Sequence, residues 1–363
     1  MVLLAIAAIV VFVGTRQFAV WQRNISRADA GVWYSQGRTQ LDENRVEEAV
    51  VSLRRAHNRN PGDREYAFTF AHALSAAGRA DDARRVLVSL RESSPEDPDI
   101  NLELARLAAT QEQVVEATRY FHSALYGVWP NGQEAERRSA RVELVRFLLR
   151  HDERTSAVAE LIALTTNLPD TASDRVEAGQ LMLEAGEPQR ALDQFNRALS
   201  LAPDDGDALS GAGDAAFRLG DYAGARRFLL RVGDPTPRQV EQRDLAIAVI
   251  EDDPLAVKLT DAERRRRLVA LLDAQIAWIE ACQSRTSSLS SDSRERLNGL
   301  QRELTAVDAQ FQLRSHLNAG ETLDAAFDTM VSTGEAAAGL CGEPVGKHRV
   351  LSLIRRLHQG QRQ

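Results

Sequence analysis

Small and large apolar residues return at fixed places through the middle of the chain. Alanine stands at Ala49, Ala83, Ala117, Ala157, Ala191 and Ala225, every step being 34 residues except one of 40. Four places after each comes a large apolar side chain: Leu53, Leu87, Phe121, Leu161, Phe195 and Leu229. Three further on are Ala56, Leu90, Ala124, Leu164, Ala198 and Val232, and twelve before each alanine sits Gly37, Ala71, Ala105, Val145, Gly179 or Gly213. Residues three and four apart share one face of an α-helix, so each copy predicts two helices. Small residues at both contact points let the axes approach to about 8–10 Å, and the large residue fills the groove between them. Asn44, Gly78, Gly186 and Gly220 fall between the helices, where the chain needs a left-handed residue. Pro61, Pro95, Pro169, Pro203 and Pro237, twelve places after the alanine, are expected to stop each second helix, since proline lacks the amide proton. The third copy misses by one place, with Trp129 before Pro130. One hairpin cannot cover its own apolar face, so the units must stack.

Five positions in phase over six copies resemble the tetratricopeptide repeat family, whose period is 34. The resemblance covers about Ala30 to Pro237. It departs from the family pattern in an extra loop around Asn131 to Arg137. The aromatic opening is kept in Trp33 but replaced elsewhere, for instance by Leu209. The resemblance implies an all-α fold, a right-handed superhelix whose concave surface binds other proteins. First-helix residues line that groove in the family. Here the residue after the small position is Arg38, His72, Arg106 or Arg146 in the first four copies, and Gln180 or Asp214 in the last two. Tyr34, Phe68, Leu102, Val142 and Arg150 are nearby groove positions. A basic row flanked by apolar contacts on a net acidic protein suggests an extended acidic peptide as guest; arginines aligned by accident are the alternative. The family's carboxylate clamp needs lysine and asparagine where this chain has Tyr34 and Arg38, and the third copy offers Asp99 and Glu103. Chaperone-tail binding is therefore not expected.

Ahead of the repeats, Met1 to Val13 are apolar without interruption. They would span about 20 Å of a hydrocarbon layer about 30 Å thick. Continuing through Trp21 reaches about 31 Å and takes in Arg16, which can snorkel from near the end. Residues 1–21 are thus expected to be a single-pass transmembrane anchor. A cleaved signal peptide is the rival, but no basic region precedes the run, and the nearest A-x-A, Ala28 to Ala30, is distant. Arg16, Arg23 and Arg27 after the span favour a cytoplasmic body by the positive-inside rule. A start further upstream would instead fit a periplasmic body, which is the working expectation at a bacterial inner membrane. The bacterial reading rests on Lys258 and Lys347 being the only lysines, as GC-rich codon usage would give.

From Val240 the period fails, and residues 238–363 read as a helical cap. A short helix is expected at Asp244 to Glu251. A second follows the capping-box pair Thr260 and Glu263 and runs to about Gln283. Ser284 to Ser293 reads as a loop, with helices after it at Arg294 to Leu313, Glu321 to Ser332 and Val350 to His358. Solenoids need a cap with a polar outer face; a small domain with its own partner is the alternative.

Composition narrows the chemistry. Hydrophobic residues at 44% and charged ones at 27% of 363 describe a folded protein. Aromatics at 6% suit close-packed helices. A net charge of -7 gives no reason to expect nucleic acid. Cys282 and Cys341, the only cysteines, cannot complete a four-ligand metal site. They could be disulfide-bonded or two buried thiols, a choice tied to compartment. The seven histidines form no spaced metal set; His348, beside Lys347 and Arg349, reads as a solvated basic cluster, and no P-loop, GxGxxG or GxSxG occurs. The run Arg264 to Arg267 could meet acidic lipid, or pair with Glu263 on a solvated face. No nucleophile–base pair, cofactor, metal or small-molecule substrate is expected. The chain reads as an interaction scaffold for protein partners at a bacterial membrane. An obligate subunit of a membrane complex, or an enzyme seated in the last 120 or so residues, are the alternatives.

Overall fold

The computed structural model describes residues 15–17, 27–285, 290–313, 319–342, 344 and 346–360. Every regular element among them is helical. The expected membrane anchor, 1–21, lies outside the described residues except for 15–17. Among the described residues no helix is long and apolar enough to cross a membrane.

Two compact units make up the chain, Met1–Thr166 and Asn167–Gln363. In the first, α1 (27–42), α2 (Val46–Arg59), α3 (Arg64–Ala76), α4 (Ala80–Ser93), α5 (Pro98–Thr110), α6 (Val114–Leu125), α7 (Glu134–Arg150) and α8 (Arg154–Thr166) follow as consecutive hairpins. The second begins with two more, α9 (Ala172–Glu184) with α10 (Pro188–Leu201), and α11 (Gly206–Leu219) with α12 (Tyr222–Leu229). It continues through α13 (Pro237–Asp252), α14 (Asp261–Arg285), α15 (Ser291–Leu313), α16 (Ala319–Cys341), a 3-10 turn (Gly346–Arg349) and α17 (Val350–Gly360). The division falls after the fourth hairpin, whereas the repeat pattern ends near residue 237. Helix α12 packs on α13, which in turn meets α14 and α17, so the last hairpins and the tail share one body.

The periodic residues are the core. All six alanines, from Ala49 to Ala225, are 0% exposed, and their large partners from Leu53 to Leu229 are at most 2% exposed. The small first-helix residues are small because of those partners. A Cβ added to Gly37 would lie 2.5 Å from Leu53 Cγ, and one on Gly213 2.5 Å from Leu229 Cδ2. Those distances are below any normal carbon contact.

Turn chemistry follows the reading at Asn44, Gly78, Gly186 and Gly220, all with φ between 58° and 83°. In the third and fourth hairpins the left-handed residue is Glu112 (φ 56°) or Asp152 (φ 60°), which have a Cβ to accommodate. First helices α3, α5, α9 and α11 are opened by Asp63, Asp97, Thr171 and Asp205, each accepting a backbone N–H of the first turn.

Several local expectations are revised. Pro237 opens α13 at its first turn instead of ending α12, because Thr236 and Gln239 form a reciprocal capping box there. Helix α12 stops at Leu229 and leaves Val232 outside it. Most of the insertion at Asn131 to Arg137 is helical, since Glu134 to Arg137 lengthen α7 to 17 residues. Trp129 caps α6, its Nε1 donating to Ala124 O at 2.8 Å. At α14 only half the expected box forms: Glu263 N donates to Thr260 Oγ1 at 3.2 Å, while the Glu263 carboxylate turns to Arg266 and Arg267. Helix α13 starts seven residues before Asp244, and α16 runs on to Cys341.

Candidate functional site: the first-helix face of the N-terminal unit

Side chains from α1, α3, α5 and α7 meet one another along a single row. Tyr34 of α1 stacks on Tyr66 of α3 with centroids 4.6 Å apart, and its hydroxyl donates to Glu65 Oε1 at 2.6 Å. Arg38 reaches over the Tyr34 ring at 5.9 Å. Arg64 of α3 covers Phe68 at 5.5 Å and donates to Asp97 Oδ2 at 2.6 Å and Asp99 Oδ2 at 3.0 Å, ahead of and inside α5. His72 of α3 lies 3.9 Å from Glu103 of α5. Arg106 of α5 makes a two-pronged contact with Glu143 of α7, at 2.9 and 2.6 Å, and a third bond to Glu103 at 2.7 Å.

Electrostatics follow from these contacts. The Glu103 carboxylate beside His72 raises the imidazole above its ordinary value, against the opposing effect of burial. Burial would push the Glu103 carboxyl up, but His72 and Arg106 together hold it below the usual carboxylate range. Burial, then the Glu65 carboxylate, push the Tyr34 hydroxyl up. Arg64 and Arg106 are held more firmly protonated, chiefly by Asp97 and Glu143 respectively.

The row expected to be basic is therefore a ladder of alternating charge. Tyr34, Phe68, His72 and Arg106 take part in these contacts. Val142, 8% exposed, is buried instead of standing open to a guest, and Leu102 at 9% is likewise core. Arg38, Arg146 and Arg150 are exposed. Neither Arg38 nor Arg150 makes an ion pair among the described residues. The sequence reading missed Glu65, Asp97 and Glu143. A usable signal existed: Glu103 and Glu143 stand three residues before Arg106 and Arg146, the spacing at which helix side chains meet.

Elsewhere, Cys282 and Cys341 are bonded, with Cα atoms 5.7 Å apart, tying α14 to the last residue of α16. The arginine run is only partly solvated. Arg267 donates to the carbonyls of Ile250 and Asp253 at 3.1 Å each, holding the end of α13. His348 is half-buried, its Nδ1 3.1 Å from Ala274 O.

Stacked helical hairpins with a lined first-helix face define a class of protein that works by holding other proteins. Residues 40–107 and 176–238 each match a tetratricopeptide repeat model, and the chain is a tetratricopeptide-repeat protein. It is similar to cellulose synthase operon protein C of Pseudomonas fluorescens, 32% identical over 134 residues, which are 34% of this chain and 10% of that protein. The match thus spans about a tenth of the length of that relative. Among solved structures it is similar to a tetratricopeptide repeat protein from Parabacteroides merdae, at 15% identity and TM-score 0.41, covering 76% of this chain and 99% of the other. The type IV pilus biogenesis factor PilW is similar at 16% identity and TM-score 0.40, over 56% of this chain and 91% of its own.

Proposed function

We propose that the N-terminal unit holds an extended segment of a partner protein against the face formed by α1, α3, α5 and α7. The observation that carries this reading is the row of contacts from Tyr34 to Glu143, which puts side chains of four successive first helices on one surface. Arg106 and Glu143 are each about a third or more exposed, and exposed ion pairs contribute about 0.2–1 kcal/mol each, so a carboxylate of a guest can exchange with Glu143 for Arg106. Arg38 and Arg150 offer positive charge at places where no such exchange is needed. An extended guest with acidic side chains suits this arrangement, and its capture would weaken as salt rises. Reversible protein binding is the mechanism, and no step of covalent chemistry belongs to it.

We place the protein at a bacterial inner membrane with its folded part outside the cytoplasm. The bond between Cys282 and Cys341 favours an oxidising compartment, and the apolar run from Met1 to Val13 favours a tether, which would raise the local concentration of partners. The test is capture of neighbours by the intact protein, followed by identification of what is retained. Arg38→Glu with Arg106→Glu should abolish capture. Arg38→Glu with Arg150→Glu leaves the Arg106 ladder intact and should weaken it at least tenfold. Unchanged capture by both double variants would remove the reading.

A further inference from the structure

A cavity of about 550 Å³ lies between α14, α16 and α17, within the usual range for small-molecule sites of about 300–1,000 Å³. Its walls include Leu271 and Trp278 of α14, Ala338 of α16 and Leu351 of α17. Trp278 is 5% exposed, so its ring forms part of the packed wall.

The polar groups of this cavity are few and differ in kind. Gln275, itself 5% exposed, donates through Nε2 to Met330 O at 2.7 Å, while its Oε1 is buried without a hydrogen-bond partner. His348 directs Nδ1 at Ala274 O, and with Nδ1 donating, Nε2 of the neutral ring is an acceptor. Arg355 is ion-paired with Glu335, so those two charges offset one another. Arg356 lines the same cavity, is exposed, and makes no ion pair among the described residues. Apolar walls, acceptors and one uncompensated cation call for a ligand with an apolar body, an N–H and an anion close together.

We infer that this cavity binds an N-acylated apolar amino acid, carboxylate toward Arg356 and side chain against Trp278. A free N-acyl amino acid and the carboxyl-terminal residue of a peptide present the same chemistry. Phosphate or a bare metal ion would leave the apolar walls uncovered. The site lies wholly in the C-terminal unit and is independent of the first-helix face of the N-terminal one.

The test uses the full oxidised protein and anilinonaphthalene sulfonate, a fluorophore with an N–H, an anion and apolar rings. One saturable site is expected, from which N-acetylphenylalanine displaces the fluorophore and its carboxamide does not. Arg356→Glu, at an exposed position, should weaken binding at least tenfold, and Ala338→Phe should fill the cavity and eliminate it. Circular dichroism and the melting temperature confirm that each variant is folded. A pentapeptide of four glycines ending in phenylalanine separates the two sources: displacement equal to the free acid assigns a chain terminus, and weaker displacement assigns a small molecule. The inference is overturned by absence of a saturable site, by equal displacement with the carboxamide, or by wild-type binding in folded Arg356→Glu.

Discussion

His358, near the end of α17, sets its Nε2 3.0 and 2.9 Å from Oδ1 and Oδ2 of Asp253, the residue that follows α13. The two are 105 residues apart in the chain. Asp253 is 4% exposed and also accepts Leu255 N at 2.9 Å, so its carboxylate fixes both the turn after α13 and the seat of the last helix. Removing the imidazole leaves a buried carboxylate short of a donor, at a cost of about 2 kcal/mol. We expect His358→Ala to lower the melting temperature and to loosen α17, read as faster amide exchange there. Unaltered exchange would show that the contact is idle.

The disulfide should be visible without structure determination. Alkylation of the denatured, unreduced protein should find no free thiol, and two after reduction. Cys282→Ala with Cys341→Ala reopens a span of 59 residues, for which chain entropy predicts a loss of about 4 kcal/mol. The loss should appear in denaturant unfolding of the C-terminal helices and leave the α1 to α8 hairpins as they were.

Two histidines should titrate on opposite sides of the ordinary value of about 6.5. Glu103 raises His72, and burial lowers His57. With its folded value above the unfolded one, His72 contributes stability that is complete below about pH 6.5 and lost as the pH rises through the folded value. His57 has the reverse sign: its folded state disfavours the proton, so stability falls as the pH drops below about 6.5. Proton NMR titration checks both, and Glu103→Gln should bring His72 down.

Glu112 and Asp152 occupy left-handed turns that glycine serves elsewhere in the chain. Glycine at either place should stabilise the N-terminal unit by about 0.5–1 kcal/mol. Thermal unfolding of Glu112→Gly, Asp152→Gly and the pair would measure it, and a lower melting temperature in all three would refute the strain argument.

Phe195 is enclosed by two glycines: a Cβ on Gly179 would lie 2.7 Å from its Cε1, and one on Gly211, in the next hairpin, 2.2 Å from its Cζ. Overpacking of this kind costs about 1–3 kcal/mol. Gly211→Ala should therefore destabilise the C-terminal unit despite alanine's better helix propensity. Pairing it with Phe195→Leu should recover part of the loss. Denaturation midpoints of the three variants decide it.

Much of this fold was legible from residue spacing. Ala83 and Leu87, or Gly37 and Leu53, sit in phase because each hairpin meets the same packing problem. Gly211 against Phe195 was not legible, since that contact joins one repeat to the next at a position outside the periodic set. The first-helix face was half legible. Tyr34, Phe68, His72 and Arg106 were placed on it by register, but Arg106 looked available to a guest until Glu143, 37 residues on, was seen beside it.

By itself the sequence determined that helices pair, where four of the six hairpins turn, and which residues are buried between them. Those properties depend on side-chain volume and on contacts a few residues apart, so repetition displays them six times over. Only the tertiary structure decided which charges neutralise one another, that Cys282 meets Cys341, that Asp253 receives His358, and that the chain divides after Thr166. Such pairings depend on the rotation of one helix against another and on chain separations of tens of residues. No local period records those quantities.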